Sequence, residues 1–209
     1  MSIRRILMSS CGVLVTAFSV GAIKVSAFGV DPFQSFMCGV DLWIPLEFGT
    51  LYVIVNALLL SFSLVFDRHY IGIATFINLF FLGYIVDYSQ NILQFLFPDA
   101  SLFTRSALFF LGFLFLCLGS SLYMTAGLGV STYDAVALIL SENWKIGKFQ
   151  FIRIATDTVC VITGILLFIL SGGTFSNVTG IVGIGTILTA FCMGPLISFF
   201  NKTLSEKLV

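Results

Sequence analysis

The chain has 209 residues, of which 58% are hydrophobic and 10% charged, and its ten basic and ten acidic side chains cancel to zero net charge. With a mean hydropathy of +1.09, it exceeds what a soluble domain of this length keeps in solution, and it offers no charge to attract nucleic acid. The composition is that of an integral membrane protein in a lipid bilayer.

Apolar runs follow in chain order at 6–23, 48–66, 71–88, 106–124, 149–170 and 181–200. Each is close to the ~20 residues that a helix needs to cross ~30 Å of hydrocarbon, so an all-α fold with six transmembrane helices is predicted. No barrel-like alternation of apolar and polar residues occurs. Arg4 and Arg5 ahead of the first run imitate a signal peptide. Residues 5–30 recur at 105–130, however, and this makes the first run a permanent helix.

The recurrence extends through the chain. Arg5/Arg105, Gly12/Gly112, Leu14/Leu114, Gly29/Gly129 and Val30/Val130 are identities at a spacing of 100. Gly49 pairs with Gly147, and residues 71–87 match 182–198 through Gly72/Gly183, Thr75/Thr186 and Gly83/Gly194. Two units are therefore expected in one membrane domain, 1–98 and 101–209. With three spans in each, an odd number, the second unit enters the bilayer inverted, an arrangement found in secondary carriers. Arg4, Arg5, Arg68, Lys145, Lys148, Lys202 and Lys207 fall on one side, which predicts both termini in the cytoplasm.

Each unit carries a stop and restart after its first span, Gly29-Val30-Asp31-Pro32-Phe33-Gln34 and Gly129-Val130-Ser131-Thr132-Tyr133-Asp134. Glycine permits a helix to end in the left-handed region, Asp31 and Ser131 are N-cap types, and Gln34 and Asp134 stand at the third helical position. The short helices expected at 32–40 and 132–142 span about half a bilayer. They lie either flat at the two interfaces or re-entrant, with their N-termini facing a shared polar site. In the second case Gly29, Asp31, Gln34, Gly129 and Asp134 belong to a substrate or ion path.

Arg153 and Asp157 lie one helical turn apart in the fifth span, with Asp157 near mid-membrane, where an ionisable group is costly. A structural ion pair and a coupling role are both open. Asn56 and Asn78, in the second and third spans, line the same path or serve as interhelical hydrogen bonds. Cys11, Cys38, Cys117, Cys160 and Cys192 show no metal-ligand spacing, and His69 is the sole histidine, so no metal site is expected. With no nucleophile and base set, no catalytic residue and no cofactor are expected either.

The stretch from Ala126 to Asp134, the Ile146-Gly147-Lys148 entry to the fifth span, and the final helix with Gly183-Ile184-Gly185-Thr186 and Gly194-Pro195 resemble the YczE/YitT-like family of bacterial multi-pass membrane proteins. In that family the short helix commonly begins with a Gly-x-Gly-x-x-Pro-x-Asp motif. Gly127, Gly129 and Asp134 match it, and Thr132 stands where proline would. The resemblance implies a cytoplasmic-membrane location and about five or six helices, without a substrate. The repeat, the half-length helices and the buried acid together point to a small secondary carrier of an unidentified solute, ion- or proton-coupled. The alternative is a non-transporting auxiliary protein of a membrane complex, and a homo-oligomer or membrane partner is open in either case.

Overall fold

The computed structural model describes residues 3–172 and 182–208, with the side chain of Gln150 left aside. Among these residues the chain is all-helical: α1 (Ile3–Ser26), α2 (Pro32–Asp41), α3 (Phe48–Phe66), α4 (Ile73–Leu96), α5 (Leu102–Thr125), α6 (Thr132–Leu138), α7 (Phe149–Leu170) and α8 (Ile184–Thr203). Five segments are long and apolar enough to cross a membrane: Ile3–Ser26, Phe48–Phe66, Leu102–Thr125, Phe151–Leu170 and Ile184–Lys207. Helix α4 equals α1 in length, at 24 residues. Its Asn78, Asp87, Gln90, Asn91 and Gln94 keep it out of that set. Residue 181, the first of the expected sixth run, lies outside the described residues.

Both short helices form where the caps place them. Asp31 Oδ1 accepts from the Gln34 N–H at 3.2 Å and Ser131 Oγ from the Asp134 N–H at 3.1 Å, while Pro32 fits the first turn of α2 without sacrificing a hydrogen bond. Helix α6 is shorter than expected, because the backbone widens into a π turn at Ile139–Asn143. Glu142 and Asn143 in that turn bind the loop after α3: Tyr70 donates to Glu142 at 2.5 Å and Asn143 to Asp67 at 2.7 Å. The Asn143 amide and the His69 N–H, both donating to the Asp67 carboxylate, hold its pKa below the usual range.

The packing crosses between the two sequence units. In lipid, close approach of small residues rather than hydrophobic burial holds helices together. Helices α1 and α5 meet in this way. A Cβ added at Gly12 would lie 2.7 Å from the Gly119 carbonyl oxygen, and one at Gly112 would lie 3.1 Å from that of Ser19. Since 12 faces 119 and 19 faces 112, the two helices run antiparallel. Helix α4 packs on α1 and α8 on α5, whereas α2 packs on α7 and α3 on α6. Helix α3 also packs on α4, so that the contacts link two groups, α1–α4–α5–α8 and α2–α3–α6–α7, each drawing equally on both units.

The hooks that end α1 and α5 are exchanged as well. Gly29 and Gly129 have φ values of 96° and 101°, which a side chain would strain. A Cβ at Gly29 would fall 2.4 Å from the Gly183 nitrogen, and one at Gly129 would fall 2.4 Å from the Gly72 nitrogen. The Phe28 carbonyl accepts from the Gly185 N–H at 2.8 Å, and the Leu128 carbonyl from the Ala74 N–H at 2.9 Å. Each hook therefore seats on the start of the last long helix in the other unit. At both helix starts a threonine closes the turn: the Gly72 and Gly183 N–H groups donate to Thr75 and Thr186 Oγ1 at 3.1 and 3.2 Å.

Candidate functional site

The N-terminal turns of α2 and α6 meet face to face. The rings of Phe33 and Tyr133, matched residues of the two units, stack with centroids 4.8 Å apart and planes 26° apart. Tyr52 of α3 closes edge-on against Phe33 at 5.9 Å. The re-entrant alternative predicted such proximity between the N-termini, and two helices lying flat on opposite interfaces would hold them about a bilayer core apart.

Around Tyr133 lies a charged cluster. Arg153 Nη1 makes an ion pair with Asp134 Oδ1, and its Nε lies 3.3 Å from Asp157 Oδ1. Its guanidinium sits 4.5 Å above the Tyr133 ring, a geometry in which ring quadrupole and cation attract. The Tyr133 hydroxyl donates to Asp157 Oδ1 at 2.6 Å. Asp134 Oδ2 accepts from Tyr123 at 2.5 Å and from Ser131 Oγ at 2.6 Å. Both carboxylates are buried, with 6% and 4% exposure for Asp134 and Asp157. Hydrogen bonding on this scale is what allows such charges to persist out of water.

The sequence paired Arg153 with Asp157, and the structure keeps that pair. Its closer partner is Asp134, 19 residues earlier and on another helix, which spacing along one helix does not reveal. Tyr123, Ser131 and Tyr133 complete the cluster without having been singled out as ligands. Asp134 closes the N-terminal turn through its backbone, as its position suggested, and anchors Arg153 through its side chain, which its position did not suggest.

The remaining expected path residues divide. Asn56 accepts from Thr132 Oγ1 at 2.5 Å and donates to the Tyr52 carbonyl at 2.8 Å, while Asn78 accepts from the Tyr52 hydroxyl at 3.4 Å. Both are interhelical or local braces beside the stacked rings. Gln34 is 3% exposed, and its Oε1 has no hydrogen-bond partner among the described residues. Asp31 is held by its cap bond. Gly29 and Gly129 serve the exchanged hooks.

A cavity of about 600 Å³ opens between α7 and α8 and reaches the cluster. Asp134, Arg153 and Asp157 line one wall, with Phe191, Met193 and Pro195 of α8 on the other. Gly29, Asp31, Gln34, Gly129, Asn56 and Asn78 are not part of its lining. A mixed wall of this kind, apolar with a few converging polar groups, has the character and size of a small-molecule pocket. Among the described residues no group of histidine, cysteine and carboxylate side chains could hold a metal ion.

Several apolar helices around a buried, hydrogen-bonded charge cluster define a multi-pass helical membrane protein with a polar interior. Residues 3–202 match the family of unknown function DUF6198, and the chain belongs to that family. It is similar to the uncharacterized membrane protein YczE of Bacillus subtilis (strain 168), 28% identical over 192 residues that cover 90% of this chain and 81% of that one. This bears out the resemblance seen in the sequence. An uncharacterized protein of Haemophilus influenzae is 24% identical over 187 residues, 89% of this chain and 78% of its own. The uncharacterized protein YyaS of Bacillus subtilis is 23% identical over 189 residues, 90% of this chain and 88% of its own. No solved structure matches the chain.

Proposed function

We propose that the protein is a small secondary carrier with six spans in two inverted units, 1–98 and 101–209, which moves a small solute across the bacterial cytoplasmic membrane with both termini inside. The observation that carries this reading is the meeting of Phe33 and Tyr133 at 4.8 Å beside a charged cavity. Two half-length helices abutting by their N-termini near a cavity resemble the broken-helix sites of carriers, where the positive helix ends and unpaired backbone N–H groups receive a polar solute. The antiparallel α1 and α5, and the exchanged hooks, support the inverted repeat. In this reading Asp157 or Asp134 takes part in coupling, by exchanging its bond to Arg153 for a proton, an ion or the solute.

Metabolite profiling of a deletion strain, followed by gradient-driven uptake of the altered metabolites in proteoliposomes, tests this. Accumulation that is abolished by Asp157→Asn in a folded protein is the expected result. The absence of flux for every altered metabolite would remove the carrier reading.

One observation favours the auxiliary reading. Both carboxylate oxygens of Asp134 already have partners within the protein, so the cluster can serve as a brace in a protein that moves nothing. Co-purification with one stable partner, and no flux, would then be found.

A further inference from the structure

The two groups of helices described above, here taken as two bodies, face each other at two seams, α3 against α4 and α7 against α8, and are also joined by α2 against α8 and by the Tyr123–Asp134 bond. These seams are counterparts under the repeat, yet the structure holds them in opposite conditions. In the first, Gly49 and Gly83 bring the helices into contact: a Cβ at Gly83 would lie 2.8 Å from Tyr52 Cβ and 3.0 Å from Gly49 Cα, and one at Gly49 would lie 2.5 Å from the Tyr84 ring. Three bonds latch it, Thr50 Oγ1 to the Tyr84 hydroxyl at 3.0 Å, the Gly49 N–H donating to Asp87 at 3.2 Å and the Tyr52 hydroxyl donating to Asn78 at 3.4 Å. In the second seam the matched residues are Gly147 and Gly194. Among the described residues, a Cβ at Gly194 would meet nothing within 4 Å, and one at Gly147 would meet only Ile152, at 3.7 Å. The cavity lies beside Gly194 and is lined on the α7 side by Lys148, Phe149 and Arg153.

A glycine in mid-helix costs roughly 1 kcal/mol against alanine and is ordinarily repaid by close packing. Gly83 is repaid in this way, whereas Gly194 is not in the present conformation. We infer that α3–α4 and α7–α8 are the two alternately opening mouths of one central site, and that the structure is the state in which α7–α8 is open and α3–α4 shut. The other state packs Gly147 against Gly194 and parts Gly49 from Gly83, by a rocking of the α2–α3–α6–α7 body on the α1–α4–α5–α8 body. The stacked Phe33 and Tyr133 belong to the rocking body and stay together. The moving parts are thus not the two sequence units, because each body contains half of both. With the termini inside, the open α7–α8 mouth, beside Lys148 and Glu142, faces the cytoplasm.

The inference rests on the carrier reading for its purpose, but its test needs no solute. Nitroxide labels on azide-bearing amino acids at 47 and 91 report the first seam, and labels at the matched positions 145 and 202 report the second. Gly83→Leu forces a side chain into the shut seam. It is expected to lengthen the 47–91 distance and shorten the 145–202 distance in liposomes, and lengthening of the first alone, a local distortion, would overturn the inference. Gly194→Leu places its side chain in open space and is expected to fold, but to prevent closure of the second seam. Should Gly83→Leu fail to fold, the parent chain is expected to show a minor short 145–202 component that Gly194→Leu lacks, and its absence from the parent would overturn the inference. Opposed distance changes without uptake of any solute would remove the carrier reading alone, while uptake with fixed distances would remove the seam exchange alone.

Discussion

The ring of Tyr133 stacks on that of Phe33 at 4.8 Å, and this contact joins the short helices of the two sequence units where their N-termini converge. The same tyrosine donates its hydroxyl to Asp157. Its two roles are separable. Tyr133→Phe keeps the stack and removes the hydroxyl, whereas Phe33→Ala removes the stack and keeps the hydroxyl. In a double-mutant cycle with Phe33→Ala and Tyr133→Ala, thermal unfolding in detergent is expected to give a coupling of about 0.5–1.5 kcal/mol for the aromatic pair. Additive effects would mean that the rings merely sit near one another.

Arg153 balances two buried carboxylates, so its loss is predicted to be among the most damaging single changes in the chain. Arg153→Ala leaves Asp134 and Asp157 facing each other without a cation, a loss of about 3–5 kcal/mol by analogy with broken buried pairs. The triple change of Arg153→Met, Asp134→Asn and Asp157→Asn removes all three charges and preserves acceptors for Tyr123, Ser131 and Tyr133. It is expected to unfold at a higher temperature than Arg153→Ala. The reverse order would show that the carboxylates do not depend on the arginine.

The exchanged hooks make Gly29 and Gly129 intolerant of alanine for two separate reasons. Positive φ costs a side chain about 1 kcal/mol, and the new methyl would meet the backbone of Gly183 or Gly72 at 2.4 Å. Gly29→Ala and Gly129→Ala are each predicted to lower the yield of folded protein, measured as the monodisperse fraction in size-exclusion chromatography. Gly127→Ala is the control. Its φ is also positive, but a Cβ there meets only the Thr125 carbonyl at 4.0 Å, so it is expected to cost less.

Asp67 provides a pH dependence outside the membrane. Its folded pKa lies below the usual carboxylate value of 3.8, so the stability it contributes is fully present above that value and is lost as the pH falls through the folded one. The difference in unfolding temperature between the parent and Asp67→Ala is expected at neutral pH and should vanish in stronger acid. Trp144, packed edge-on to Phe66 at 5.1 Å, is placed to report the change by fluorescence. A difference that persists unchanged into acid would assign the effect to something other than the carboxylate.

The proposed inverted arrangement predicts reporter fusions after Phe66 and at the C-terminus to be cytoplasmic, and fusions after Asp99 and Ser171 to be external. Activity of the opposite kind at either internal pair would end the inverted-repeat reading.

Local chemistry was legible in the sequence wherever a single stretch of backbone decides it. The caps at Asp31 and Ser131 and the left-handed turns at Gly29 and Gly129 are set by residues within a few positions of each other, and the Arg153–Asp157 pair follows from one helical turn. The apolar runs are legible for the same reason, since hydropathy along a helix is a property of that helix alone. The repeat spacing also pairs Phe33 with Tyr133. The tertiary structure decided what depends on which helix lies against which. It placed Asp134 on Arg153 across 19 residues and widened α6 into a π turn where Glu142 and Asn143 bind the loop at 67–70. It also seated each hook on the other unit's helix and left Gly194 beside a cavity while its counterpart Gly83 is packed shut. A near-symmetric sequence specifies equivalent pieces, but which of the two equivalent helix pairs packs closely rests on contacts between distant parts of the chain, which no local pattern records.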